Sequence, residues 1–316
     1  MKHYPNFDAI RLFAAASVVF SHSFLIATGT EDSEPLSSTG VVAGVYGVFV
    51  FFILSGFLVT ESARRSAALG DFIRKRFLRI MPALIVSTFV ITYVICPWFD
   101  KNGAWAFVSH PEVFETAVRA ITFHNSDLYF QNVAFYPPRS EIDFLPGEAN
   151  GVLWTIRMEV IGYLFIGLMA TLSLFNPRRW FVMLMILAAV VGVSSLLYVY
   201  AMPEWVGNLL FVLPSLCCGI FMNWLVSYHE PRGWVALVLL GGIAPAVYFE
   251  VLPQAFPFLA AYPLIWLGAA PVNLLPRFYE GTDLSYGVYL YGWPITQVIR
   301  GFVGQNLTGY DMTALA

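Results

Sequence analysis

Long apolar runs separated by short polar stretches occupy almost the whole chain. Segments such as FVMLMILAAVVGVSSLLYV and GWVALVLLGGIAPAVYF approach the roughly 20 residues that a helix needs to cross the hydrocarbon core of a bilayer. Nine spans are predicted, over about 7–29, 41–61, 82–99, 152–174, 180–200, 206–227, 234–250, 256–275 and 284–303. Backbone polar groups in lipid must be satisfied within the segment, so these spans are read as helices. The fold class is therefore an all-α, polytopic membrane helical bundle. No repeat, low-complexity tract or linker interrupts the chain, and a single transmembrane domain is expected over 1–316. The stretch from Asn6 to Gly29 resembles a secretory signal only superficially, because Arg11 interrupts it and comparable segments follow; it is read as an uncleaved first span. Nine spans would leave the two termini on opposite sides, which suggests that a final helix is missing.

Charge placement orients the bundle. The loop at about 62–81 carries Arg64, Arg65, Arg74, Lys75, Arg76 and Arg79, whereas Thr30–Gly40 holds acids and no base. By the positive-inside rule the basic loop is cytoplasmic and the N-terminus lies on the same side. Alternate threading adds Lys2, Arg178, Arg179, Arg232 and Arg277, so eleven of the seventeen Lys and Arg residues fall there. The stretch at about 100–151 is then an outer loop, with Trp105, Tyr129 and Tyr136 among polar residues, and a loop of that length is often functional.

Composition narrows the class further. The chain is 58% hydrophobic and 12% charged with a net charge of −3, a balance that suits lipid and offers no basic field for nucleic acid. Cys96, Cys217 and Cys218 lie in apolar runs without metal-ligand spacing and read as small core residues. No metal is predicted, and His110 and His124 of the outer loop lack the clustering that zinc requires, so surface or capping roles suit them better.

The ionisable residues inside the apolar segments carry the candidate chemistry. Arg11 and His22 share the first span, and eleven steps of about 100° bring them back to nearly one face, about 16 Å apart along the axis. Such residues normally face a bundle interior or an aqueous cavity. His22 is thus a candidate general base for an attacking hydroxyl. In the plainer reading Arg11 snorkels or pairs with Asp8, and His22 bonds a neighbouring helix. The RKRFLRI cluster likewise reads as an orientation signal against anionic membrane lipid or as a receptor for a phosphorylated cofactor, and the residues alone favour the first. Arg157 and Glu159, near the start of the fourth span, could cap a helix or line a site.

Five ordered blocks resemble the membrane acyltransferases of acyltransferase family 3, the O-antigen and exopolysaccharide O-acetyltransferase group. They are NFDAIRLFAAASVVFSHSF with Arg11 and His22, FFILSGFL with Ser55 and Gly56, and RKRFLRIMPAL with Arg76, Arg79 and Pro82. ANGVLWTIRMEVIGYLF follows, with Asn150, Gly151, Trp154, Thr155 and Glu159, and then DLSYGVYLYGWPI, with Ser285, Tyr286, Gly287 and Tyr289. Two positions depart from the family pattern: Val160 stands where many members have a second Glu, and Gly292 where many have His.

The resemblance implies transfer of an acyl group, most often acetyl, from cytoplasmic acyl-CoA to a hydroxyl of a carbohydrate or cell-surface polysaccharide, free or lipid-linked, at a bacterial inner membrane. On that reading His22, Arg11 and Glu159 are catalytic, with His22 as general base or transient acyl acceptor. Arg76, Arg79, Ser55 and Gly56 hold the acyl-CoA, and Trp154, Tyr286 and Asn150 shape the substrate channel. The alternative is a membrane transporter of a sugar intermediate or metabolite, in which the same ionisable residues would line a pathway, although no repeat of the kind many transporters carry is present. A purely structural membrane partner fits the buried charges poorly. A His3 and Asp8 pair at glycerolipid-acyltransferase spacing has no second block beside it, and no GxSxG elbow occurs.

Overall fold

The computed structural model describes residues 6–139, 143–197, 202–270, 283–304 and 306–316, so Lys2, His3 and Arg277 lie outside the described residues. Helices dominate. In chain order they are α1 (Phe7–Thr28), α2 (Ala43–Arg65), α3 (Leu69–Val90), α4 (Ala104–Ser109), α5 (Pro111–Ile121), α6 (Leu153–Thr171), α7 (Trp180–Leu197), α8 (Glu204–Tyr228), α9 (Gly233–Gly241), α10 (Ile243–Tyr248), α11 (Leu252–Ala269), α12 (Ser285–Val303) and α13 (Gly309–Leu315). Two short antiparallel strands, β1 (Leu128–Tyr129) and β2 (Glu148–Asn150), pair within the long loop.

Seven helical segments among the described residues are long and apolar enough to cross a membrane. The sequence predicts nine, and the difference has two causes. The expected span at 234–250 is divided at Gly241 and Gly242 into the short α9 and α10. The expected last span is the 19-residue α12, whose tyrosines, Gln297 and Arg300 dilute its apolar character. The basic stretch also differs from the loop expected at 62–81: α2 runs to Arg65, and after Ser66–Ala68 a single helical segment continues from Leu69 to Phe99. Nothing between Asp71 and Met81 breaks a helix, and Arg, Lys, Leu and Ile propagate one well. Along α3 and α7 large apolar side chains such as Val86, Phe181, Met185 and Leu196 are exposed, as lipid-facing positions should be.

Helix α2 lies at the centre, packed on α1, α6, α8 and α11. Its contact with α8 is backbone to backbone. A Cβ on Gly56 would fall 2.2 Å from the Leu216 carbonyl oxygen, and one on Gly219 would fall 2.1 Å from that of Ile53. Small residues permit this approach, which supplies van der Waals packing where lipid offers no hydrophobic drive between helices.

The region between α3 and α6 is a folded cap rather than a loose connector. Its Leu128, Phe130, Val133, Phe135, Tyr136 and Ala149 are buried. Helix α12 anchors it: Trp293 Nε1 donates to the Glu148 carbonyl at 2.8 Å, and Gln297 Nε2 donates to the Leu145 and Glu148 carbonyls at 2.6 and 2.9 Å. His110 caps α5, its Nδ1 accepting from the Glu112 N–H at 3.4 Å, which is the capping role expected of it.

Candidate active site between α1, α2, α3, α6 and α12

Five helices enclose a cavity with about 770 Å³ of atom-free space, its open mouth included. Helical spacing explains which side chains reach it. Arg76 and Arg79 are one turn apart on α3, Thr155, Glu159 and Tyr163 recur every four residues on α6, and Tyr286 and Tyr289 are one turn apart on α12. Arg11 enters from α1 and Ser55 from α2. The remaining wall is apolar, formed by residues such as Val48, Phe51, Phe52 and Leu58.

Two polar constellations organise the cavity. In the first, Glu159 accepts from Ser55 Oγ at 3.2 Å and from the Tyr163 hydroxyl. In the second, Asp283 receives Arg11 Nη1 at 3.2 Å and Arg79 Nη2 at 2.5 Å, while its other oxygen accepts from the Ser285 N–H at 3.1 Å and Oγ at 2.5 Å. Burial opposes ionisation of Asp283, but Arg11, the Ser285 hydroxyl and Arg79 outweigh it and hold the carboxyl below its ordinary range. Arg11 also meets Asp8 at 3.6 Å, the pairing of the plainer reading, so one guanidinium bridges its own helix and α12's entry. Arg76 lies over the Tyr163 ring at 5.7 Å and donates to Ser62 Oγ at 3.3 Å, with its Nε buried and unpartnered.

Of the residues given catalytic, cofactor-binding or channel roles from the sequence, Arg11, Ser55, Arg76, Arg79, Glu159 and Tyr286 converge on this cavity, and four, Gly56, Asn150, Trp154 and His22, do not line it. Gly56 is at the α2–α8 contact. Asn150 is buried and structural, donating to the Leu290 carbonyl at 3.0 Å and accepting from the Val152 N–H at 3.3 Å. Trp154 is half-buried against the core. Arg157 does not join Glu159; two positions along a helix turn it away, and its guanidinium sits 5.4 Å from the Trp205 ring.

His22, the fourth, lies toward the other end of α1. Its ring meets Trp293 edge-on at 4.7 Å, and its Nδ1 is buried without a hydrogen-bond partner. Of the cavity's lining, Tyr289 is the α12 residue nearest in sequence to Trp293. Tyr289, one turn from both Tyr286 and Trp293 on α12, bonds Thr155 at 2.5 Å and packs edge-on against Phe51 at 5.5 Å. Gly292, at the position of the family's His, faces α1, where a Cβ would fall 2.4 Å from Val19.

Sequence reasoning missed Asp283 and Tyr163. The signals were an acid immediately before an apolar segment and a hydroxyl one turn from Glu159. Glu148 was missed as well: burial and the nearby Asp127 and Glu204 push its carboxyl up to about 8. No group of three or more metal-ligating side chains occurs among the described residues.

Comparison with known proteins places the chain in a family. Residues 4–314 match the family model described as an acyltransferase domain, that of acyltransferase family 3. Nodulation protein 10 of Rhizobium leguminosarum bv. viciae is 28% identical, with 96% of this chain and 86% of the relative covered. The O-acetyl transferase of Shigella phage Sf6 is 26% identical over 93% of this chain and 85% of its own. Peptidoglycan O-acetyltransferase OatA of Listeria monocytogenes is 24% identical over 93% of this chain and 49% of its own. No solved structure matches. A membrane helical bundle whose ordered blocks bring Arg11, Ser55, Arg79 and Glu159 to one cavity, and whose family match runs nearly end to end, belongs to acyltransferase family 3.

Proposed function

We propose that the chain transfers an acyl group, most simply acetyl, from acyl-CoA to a hydroxyl of a carbohydrate or cell-surface polysaccharide at a bacterial inner membrane. The observation that carries this is the cavity itself: three guanidiniums, a hydrogen-bonded carboxylate and an apolar wall in one space. Guanidiniums suit the phosphates of the donor. The family match and two relatives named as O-acetyltransferases support the reaction class.

On this reading the N-terminus is cytoplasmic, and the donor enters at the Arg11 end beside Arg76 and Arg79. Its extended arm runs toward His22, about 16 Å further along α1, which requires Tyr289 and Phe51 to part. His22 takes the proton of the acceptor hydroxyl as its oxygen attacks the thioester carbonyl carbon. The new C–O bond forms, the C–S bond breaks, and the sulfur leaves as thiol once protonated. An acyl-histidine relay would use the same residue. Glu159, held by Ser55 and Tyr163, positions the donor end of the cavity.

The test is acyl-CoA-dependent transfer by purified protein, with His22→Ala and Arg11→Ala alongside and thermal stability measured on each. Loss of at least about 100-fold is expected in both variants, with stability little changed in His22→Ala, as for removal of a general base, and lowered in Arg11→Ala, which breaks the pair with Asp283. Full transfer by a folded His22→Ala protein, or no thioester turnover by wild type, would overturn the proposal and favour sugar export.

A further inference from the structure

A second polar cluster lies beyond His22, at the Gly29 end of α1. Arg300, on the same face of α12 as Trp293 and Gln297, is only 3% exposed. Its Nη1 donates to the Ala27 carbonyl, and Arg139 Nη2 donates to the carbonyls of Ile26 and Ala27 at 2.7 and 3.1 Å. Both guanidiniums face the ring of Tyr136, with Arg300 Cζ 4.8 Å and Arg139 Cζ 5.7 Å from its centroid.

Capping the last carbonyls of α1 accounts for part of this arrangement, because cations are favourable at a helix C-terminus. It does not account for the rest. Arg300 Nε and Tyr136 Oη are both buried and unpartnered. Among the described residues Arg300 has no carboxylate within ion-pair distance; Asp143 pairs with Arg139 at 3.8 Å and acts on Arg300 only at longer range. Burying a guanidinium without an anion is costly, and leaving two buried donors idle beside it adds to the cost. Arg139 is the more open member, its side chain 31% exposed, so a ligand can reach the cluster from the polar end of the bundle.

We propose that Arg300, Arg139 and Tyr136 form an oxyanion site for the acceptor, which is therefore an anionic glycan whose carboxylate or phosphate docks here while a hydroxyl lies at His22. Two helical turns separate Arg300 from Trp293, the partner of His22, which is about 10 Å and spans one to two sugar rings. The proposal rests on the acyl-transfer reading for its acceptor, but the site itself is tested by binding alone.

The chain in phosphatidylcholine nanodiscs is titrated with trigalacturonate and, separately, with its methyl ester, which keeps the rings and removes the charge. The expected result is at least about tenfold tighter binding of the acid, weakened by salt, and a further loss of about tenfold in both Arg300→Gln and Tyr136→Phe. Tyr136→Phe is the decisive variant, because its hydroxyl has no hydrogen-bond partner among the described residues and its melting temperature should not move. Acid and ester binding alike, or Tyr136→Phe binding the acid as wild type does, reduces the cluster to a helix cap and overturns the proposal. Selective stabilisation by phosphatidylglycerol nanodiscs with no preference for the acid assigns the site to a lipid headgroup and overturns it equally. Thioester turnover with neutral glycans, measured in parallel, separates failure here from failure of the acyl-transfer reading.

Discussion

Asp283 shows how a single carboxylate organises residues that are far apart in the sequence. It is separated by 272 positions from Arg11 and by 204 from Arg79, yet binds both. Asp283→Ala leaves Arg79 without its carboxylate and Arg11 with Asp8 alone, and a stability loss of about 1–3 kcal/mol, read as a lower melting temperature, is expected. Because the two pairs hold the Asp283 carboxyl down, their contribution is present above the ordinary carboxylate range and is lost as pH falls through the lowered value.

Glu148 gives the opposite dependence. Burial lifts it from 4.5 to about 8, so the folded chain keeps a proton that the unfolded chain releases. Stability therefore falls as pH climbs from about 4.5 toward 8 and levels off above. Glu148→Gln removes that slope. Melting curves of the variant and wild type should lie close together at pH 5 and separate to the variant's advantage by pH 8. A constant difference across that window would refute the assignment.

At this scale the sequence was a good guide to polarity and a poor one to partners. Arg11 and Glu159 were legible because ionisable residues are rare in apolar segments, whereas Arg79, in a basic stretch, was legible only through the family's block. Asp283 sits at the edge of such a segment, where an acid is unremarkable, and pairing across more than two hundred positions leaves no local signal. Asn150 shows the converse: its block matched the family, but its hydrogen bonds close the entry to α6 rather than line the cavity.

Among the elements, the α2–α8 contact has the least tolerance. Gly219 meets backbone at distances no side chain accepts, so Gly219→Val must push the helices apart. Because α2 carries Ser55 and α8 backs it, the variant should lose thermal stability and activity together, whereas Gly70→Ala, on open surface, should change neither. Differential melting of the two proteins checks this. Hydropathy located α2 and α8 but not their contact, since a lipid-facing and a helix-facing glycine read alike in sequence. It also overstated α9 and α10, because a mean over the window conceals the break at Gly241 and Gly242.

On the scale of the whole molecule, the basic ends of α2 and α3 and the folded cap at 100–151 lie at opposite ends of the cavity and His22 axis. The positive-inside argument places the first of these in the cytoplasm. Single cysteines at Arg74 and Trp105, labelled by an impermeant thiol reagent in intact cells, should divide accordingly, with Trp105→Cys reactive and Arg74→Cys protected. Labelling of the reverse set would invert the orientation. The wall of Tyr289, Thr155 and Phe51 acquires a further meaning from that orientation. A passage joining the polar cavity to the buried His22 Nδ1 would leak protons if it stood open in an energised membrane. On the proposed reading the same hydroxyl pair would then also act as a seal, and proteoliposomes holding Tyr289→Ala should dissipate an imposed pH difference faster than wild type.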